Sequence, residues 1–276
     1  MTTNAAADQA RVAATRVAEH PVLEVLARIG FIGYGVVHLL VAWLGLQIAF
    51  GRPAVEGDQG GALRTLAGQP FGRQLVLAVA VGLGAMALWQ ALEALIGHRA
   101  DRGRVRTAER LLSVGRTAAY TYFAVLAAKV VQDAGASSAD AQQALTGRML
   151  GAPGGRVGVV ALGVALAGLG AGLVWYGVTK HFDKHLTHER MSASMRRVVG
   201  RVGMAGYTGK GVAYGIAGLL LAAAAVTYDV DKARGLDATL RELAGQPYGT
   251  VLLCLVALGL AMFGVFGLLQ ARYRKI

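Results

Sequence analysis

The chain has 276 residues, 55% of them apolar and only 16% charged, with a mean hydropathy of +0.48. A soluble domain carries about a quarter charged residues, so this balance excludes an ordinary soluble enzyme and a disordered chain. A single cysteine, Cys254, excludes an internal disulfide and a thiolate metal cluster, and the net charge of +12 falls between long, nearly uncharged stretches.

Residues 4–19 read as a short Ala-rich helix, and Pro21 suits the first turn of a second helix running into the first span. No short apolar core follows basic residues there, so the N-terminus does not read as a cleavable signal. A helix needs about 20 mainly apolar residues to cross a hydrocarbon core. Six segments qualify, at 29–50, 74–96, 115–132, 156–179, 205–227 and 250–271. In lipid each backbone amide needs a partner within its own segment, so all six are expected as helices. None alternates like a barrel strand. The expected fold class is all-α membrane, with six transmembrane helices.

Lys and Arg gather on alternate connections. The N-terminal arm to Arg28, the connection between spans 2 and 3 (Arg99 to Arg116), the connection between spans 4 and 5 (Lys180 to Arg201) and the tail after Leu269 together hold 18 basic residues, and the opposite side holds eight. That excess places both termini in the cytoplasm. It also suits anionic lipid headgroups. Nucleic acid is not an expected partner, because no basic stripe lies on a recognition fold with base-reading side chains.

Internal repetition is the most informative feature. Residues 63–72, LRTLAGQPFG, and residues 240–249, LRELAGQPYG, agree at eight of ten positions. Gly151-Ala152-Pro153-Gly154-Gly155 keeps the Gly-x-Pro-x-Gly skeleton between them. The first glycines fall at 68, 151 and 245, and the preceding spans align from Gly30, Gly115 and Gly206. Each unit is a span, a short amphipathic helix with Leu63, Leu66 and Ala67 on one side in the first copy, and a returning span. Gly68 is expected as a left-handed stop and Pro70 prevents continuation. The corner residues Gly68, Gln69, Pro70, Gly151, Pro153, Gly245, Gln246 and Pro247 read chiefly as a stiff turn. Three such units in one orientation imply a pseudo-threefold arrangement of tandem two-helix repeats. The chain divides into an N-terminal arm (1–26), repeat 1 (27–99), a basic linker (100–113), repeat 2 (114–182), a basic His-containing linker (183–201) and repeat 3 with the basic tail (202–276).

With its Gly-rich odd spans and Gly-Gln-Pro-[Phe/Tyr]-Gly corner, the chain resembles the three-repeat bacterial membrane proteins catalogued as domain of unknown function 1206. The resemblance covers about residues 27–275. It is clear in repeats 1 and 3 and degraded in repeat 2, where Ala152 and Gly154 replace the Gln and the aromatic. It implies a six-span inner-membrane protein and no particular activity. Mitochondrial carriers share the plan, but spans 1, 3 and 5 here lack the proline kinks of that family.

Polar residues inside spans are costly in lipid and face protein or water. His38 lies near mid-membrane, and Tyr34, four residues earlier, shares its face. The repeat offset places Lys210 and Tyr214 at the equivalent positions in span 5, with Ala119 and Phe123 in span 3. One reading is a polar cavity among helices 1, 3 and 5. The other, favoured, has His38 as interhelical glue and Lys210 snorkelling to the interface. Glu93 is expected to pair with Arg28 or Arg99, and Lys129 to reach toward Asp133. His181, His185 and His188, at i, i+4 and i+7, would share one helix face and form a weak metal candidate; Phe182 and Leu186 suggest that this helix lies on lipid. Gly168-x-x-x-Gly172, Gly211-x-x-x-Gly215 and the Gly30, Gly33 pair are expected at helix contacts.

No catalytic constellation and no cofactor motif stands out. The sequence therefore reads as a non-enzymatic accessory, scaffold or lipid-interacting component, with the bilayer, anionic headgroups and a membrane protein as possible partners. The alternative is a carrier or channel for a small solute through a cavity at Tyr34, His38, Lys210 and Tyr214.

Overall fold

The structure, a computed structural model, describes residues 21–52, 56–96, 103–132 and 137–274; the helix expected over 4–19 lies outside them. The helices are α1 (Pro21–Ala49), α2 (Gln59–Ala67), α3 (Gly72–Ile96), α4 (Gly103–Val131), α5 (Ser138–Leu150), α6 (Gly155–Val178), α7 (Ala193–Thr227), α8 (Gly235–Ala244) and α9 (Gly249–Tyr273). Short 3-10 turns occupy His181–His185, His188–Arg190 and Val230–Ala233. Spans 1 to 6 are α1, α3, α4, α6, α7 and α9, each long and apolar enough to cross a membrane. Proline would break such helices, and of the chain's five prolines only Pro21 lies in a span helix, at its first residue, where proline is tolerated.

The corner helices α2, α5 and α8 end at Gly68, Gly151 and Gly245 in right-handed geometry, with φ of −75°, −74° and −77°. The expected left-handed stop at Gly68 is therefore displaced. Positive φ falls three residues later, at Phe71 (59°), Gly154 (72°) and Tyr248 (60°). Repeat 2 thus carries glycine where a left-handed residue is needed, and repeats 1 and 3 hold an aromatic there against its preference. The next glycine is required for space. A Cβ on Gly72, Gly155 or Gly249 would collide with the carbonyl oxygen of Leu66, Met149 or Leu243. Gln246 Nε2 donates to Glu242 of its own corner helix (3.0 Å). The motif builds a turn.

The spans pack as threefold symmetry requires along three seams, span 2 on span 3, span 4 on span 5 and span 6 on span 1. Within repeats, span 1 packs on span 2 and span 5 on span 6. Span 3 does not pack along span 4 among the described residues. The ring is open at that seam, and only 17% of the most apolar stretch of spans 3 and 4 is buried, against 39% to 56% in the other spans.

The corner end is closed. Asp58 caps α2 by accepting from Gly61 N (2.9 Å) and accepts from Ser138 of α5 with its other oxygen. Asp237 of α8 accepts from Gly57 N (2.8 Å) and from Arg241 Nε (3.0 Å). Arg234 pairs with Asp140 at 2.9 Å. Asp58 is 1% and Asp237 0% exposed, so these carboxylates knit the three repeats together beneath the surface, with their acceptors occupied as burial demands.

Candidate functional site

Span 1 delivers Tyr34 and His38 to the bundle interior one turn apart. Tyr34 is a hub. Its ring meets His38 at 4.3 Å, Tyr120 at 5.8 Å, Phe263 at 5.8 Å and Phe123 at 6.2 Å between centroids. Spans 1, 3 and 6 therefore converge on it through side chains. Ala119, the repeat equivalent of Tyr34 in span 3, is exposed, and Tyr120 takes the inward position instead.

Lys210 enters the same cluster from span 5. It is 6% exposed and donates to the Tyr34 hydroxyl. Its ammonium lies 4.2 Å from the Phe263 ring centroid, 4.9 Å from Tyr34 and 5.4 Å from Tyr214. Among the described residues no carboxylate pairs with it. Lys210 does not snorkel to the interface: three aromatic faces and one hydroxyl replace water around the cation. The repeat offset brings together all four residues that the sequence singled out, and Phe263 and Tyr120 complete the cage.

His38 is 1% exposed. Its Nδ1 lies 2.8 Å from the Tyr34 carbonyl oxygen of its own helix. A carbonyl only accepts, so Nδ1 carries the proton. Nε2 is buried without a partner. His38 thus does not glue two helices by hydrogen bonds; it packs on Tyr34 and, at 4.9 Å, on Phe263.

The other candidates disperse. Span 4 stops at Lys180, whose φ of 54° is left-handed, and the linker turns back onto the bundle. Phe182 and Leu186, expected on lipid, are each 1% exposed and pack with Phe266 and Tyr273 of span 6. The three histidines consequently share no helix face. His181 bonds Thr179 (2.8 Å) and His188 faces Asp183 (3.4 Å). His185 is mostly buried, and burial, then Arg274, Arg116 and Lys184, push its imidazole down to about 3. Arg28 pairs with Glu24 at 2.6 Å. Arg99 and Asp133, the expected partners of Glu93 and Lys129, lie outside the described residues.

A second cluster, absent from the sequence reading as a site, forms below the cage at the basic end. Arg274 is 8% exposed. Its guanidinium lies 5.0 Å from the Phe31 ring and 5.4 Å from Trp89. The backbone is clamped, with Thr187 N donating to Tyr273 O (2.8 Å) and a bridge between Leu186 and Arg274. Arg116 of span 3 and Arg274 both lie within electrostatic reach of Tyr176, Tyr207 and His185. Lys184 pairs with Glu109.

The family model described as Domain of Unknown Function (DUF1206) matches residues 29–97, 113–180 and 205–274, one match per repeat. The chain belongs to the DUF1206 family. An uncharacterized protein of Bacillus subtilis (strain 168), YxxB, is 29% identical over 267 residues, covering 93% of each chain. No solved structure matches. The three matches coincide with the three span–corner–span units, so the repeat is the structural unit of this DUF1206 protein.

Proposed function

We propose that this DUF1206 protein is a non-enzymatic, lipid-interacting component of the inner membrane that admits an amphiphile sideways between spans 3 and 4. The carrying observation is a seam formed twice and missing once. In repeat 1, Gly30 and Gly82 bring spans 1 and 2 into backbone contact, and in repeat 3 Gly209 and Gly259 do the same for spans 5 and 6. Repeat 2 keeps the small residues. Gly115 and Ala118 lie on span 3, and Ala161, Ala165, Gly168 and Gly172 lie on the face of span 4 turned away from span 5. Yet Ala118, Ala161 and Ala165 are exposed, and a Cβ on Gly115, Gly168 or Gly172 would meet nothing within 4 Å. An open seam at membrane depth has lipid as its solvent. The 18 basic residues on the side of both termini support a cytoplasmic placement of that end.

The carrier reading draws on the convergence of Tyr34, His38, Lys210 and Tyr214. Burial of His38 and the buried carboxylate network at the corner end favour a closed axis over a water path. The seam is tested by filling it. Ala165→Leu/Gly168→Leu, purified in mild detergent, should retain several-fold fewer lipid molecules per chain by mass spectrometry than the parent. Val251→Leu, an exposed position on span 6, should retain the parental amount. Equal retention by all three sinks the reading.

A further inference from the structure

The basic end of the open seam carries a feature that the seam alone does not require. Two guanidiniums, Arg116 of span 3 and Arg274 at the end of span 6, both act electrostatically on Tyr176 of span 4, Tyr207 of span 5 and His185 of the linker. Arg274 rests against spans 1 and 2 as well, and among the described residues neither guanidinium makes a side-chain hydrogen bond or an ion pair with a carboxylate. Arg274 is held in place on both sides. Phe31 and Trp89 face its guanidinium, the bridge to Leu186 fixes its backbone, and its buried Nε has no partner. Keeping a buried guanidinium unpaired is costly, and a rigid, stacked one loses little further entropy on binding. Glu109, the carboxylate on which Arg116 acts electrostatically, pairs with Lys184 through one oxygen, so that pair adds no net charge, and its other oxygen is buried without a partner. His185 is driven to its neutral form there, which leaves its unpartnered Nε2 as one more polar atom at the cluster.

We propose that Arg116 and Arg274 form a binding site for the phosphate of an anionic phospholipid whose acyl chains lie in the seam between spans 3 and 4. Guanidinium forks match phosphate oxygens in pairs, which an ammonium does not. Tyr176 and Tyr207, from the two spans on the far side of the cluster, add hydroxyls within electrostatic reach of both arginines. The small face of span 4 gives the chains a smooth wall. Charge complementarity below and an apolar, laterally open groove above select a lipid over a free anion, which would have no use for the groove. The inference rests on the seam reading but adds headgroup selectivity, which the seam alone does not predict.

The test uses the full chain, delipidated in detergent and offered vesicles of phosphatidylglycerol or phosphatidylcholine, with bound lipid counted by native mass spectrometry. The parent should retain phosphatidylglycerol preferentially. Arg116→Gln, a partly exposed position, should lose about tenfold in that preference, the value of one charge-assisted hydrogen-bond pair. Arg274→Gln should lose at least as much, with Arg274→Lys intermediate, and a melting curve on each variant shows that it is folded. Equal retention of both lipids that survives Arg116→Gln but falls in the seam-filling variant overturns the headgroup site and leaves the seam standing. Loss of neither lipid in any variant overturns both. Stabilisation by inorganic phosphate with no lipid retained assigns the site to a free anion and overturns the proposal. A dimer cross-linked through cysteines placed at Gly168 assigns the seam to a second copy and overturns it as well.

Discussion

Lys210 sets the residue scale, because an ammonium in the middle of an apolar bundle must be compensated on the spot. The Tyr34 hydroxyl supplies its one hydrogen bond and three rings supply the rest. Tyr34→Phe keeps the ring and removes the acceptor, so it should destabilise the chain in detergent by about 1–3 kcal/mol, the cost of a buried polar group left unsatisfied. Lys210→Met keeps the length and removes the charge. Its stability should equal or exceed the parent's, since an apolar replacement ends the desolvation cost. In that background Tyr34→Phe should cost almost nothing. A double-mutant cycle of unfolding midpoints measures the coupling, and additivity within about 0.5 kcal/mol would falsify the cage as the reason Lys210 is tolerated. Four members of the cluster were legible from the repeat offset, because a polar residue in a span stands out. Phe263 and Tyr120 were not. An aromatic in an apolar span raises hydropathy wherever it points, and hydropathy carries no azimuth.

Between elements, glycine decides which helices touch, and the motif spacing chose the contact face for Gly30, Gly33, Gly211 and Gly215 but the wrong one in span 4. The sequence offered Gly168 and Gly172 as a contact pair, but that face meets nothing. The true span 4 seam runs through Gly163, Gly170 and Gly177, seven apart, against Gly218, Gly211 and Tyr207 of span 5. A heptad of small residues keeps one side of a helix toward its partner, whereas a four-residue pair names a face without saying whether a partner exists. A Cβ at Gly170 would lie 2.8 Å from the Gly215 Cα, with backbone atoms of span 5 closer still. Gly170→Val should therefore force the two helices apart and cost about 1–3 kcal/mol or more, lowering the unfolding midpoint and the folded yield. Gly172→Val, two residues on, should change neither by as much as 0.5 kcal/mol, roughly the scale of an exposed substitution. Equal losses at the two positions would contradict the packing. The linker after span 4 misled for a related reason. Three histidines at helical spacing predict a helix face, but Lys180 turns left-handed and Phe182 and Leu186 find a better surface on span 6 than in lipid. Local period yielded to tertiary burial.

At the scale of the molecule, three copies of one hairpin need not be used alike. Hydropathy and the repeated corner made six spans in three units readable, since both are properties of the chain. Which seams close depends on how the units meet, and no single unit encodes that. Repeat 2 retains the small residues of a closed seam while standing open, so closure of span 3 on span 4 should be reachable at modest energy. The repeat offsets identify the pair that would meet: Gly115 matches Gly30, and Ala165 matches Gly82, whose backbones touch in repeat 1. Disulfides form when Cα atoms come within about 4.4–6.8 Å. With Cys254 replaced by Ser, the Gly115→Cys/Ala165→Cys chain should cross-link under mild oxidant when delipidated, and much less when phosphatidylglycerol vesicles are supplied, because a bound lipid holds the seam apart. A ligand shifts such an equilibrium only by its preference for one state, so the ratio of cross-linking rates measures how strongly the lipid favours the open form. Rapid cross-linking that lipid leaves untouched would mean that the seam closes over nothing. No cross-link in the delipidated chain would mean that repeat 2 is rigidly open, and that its small residues serve the groove rather than a hinge.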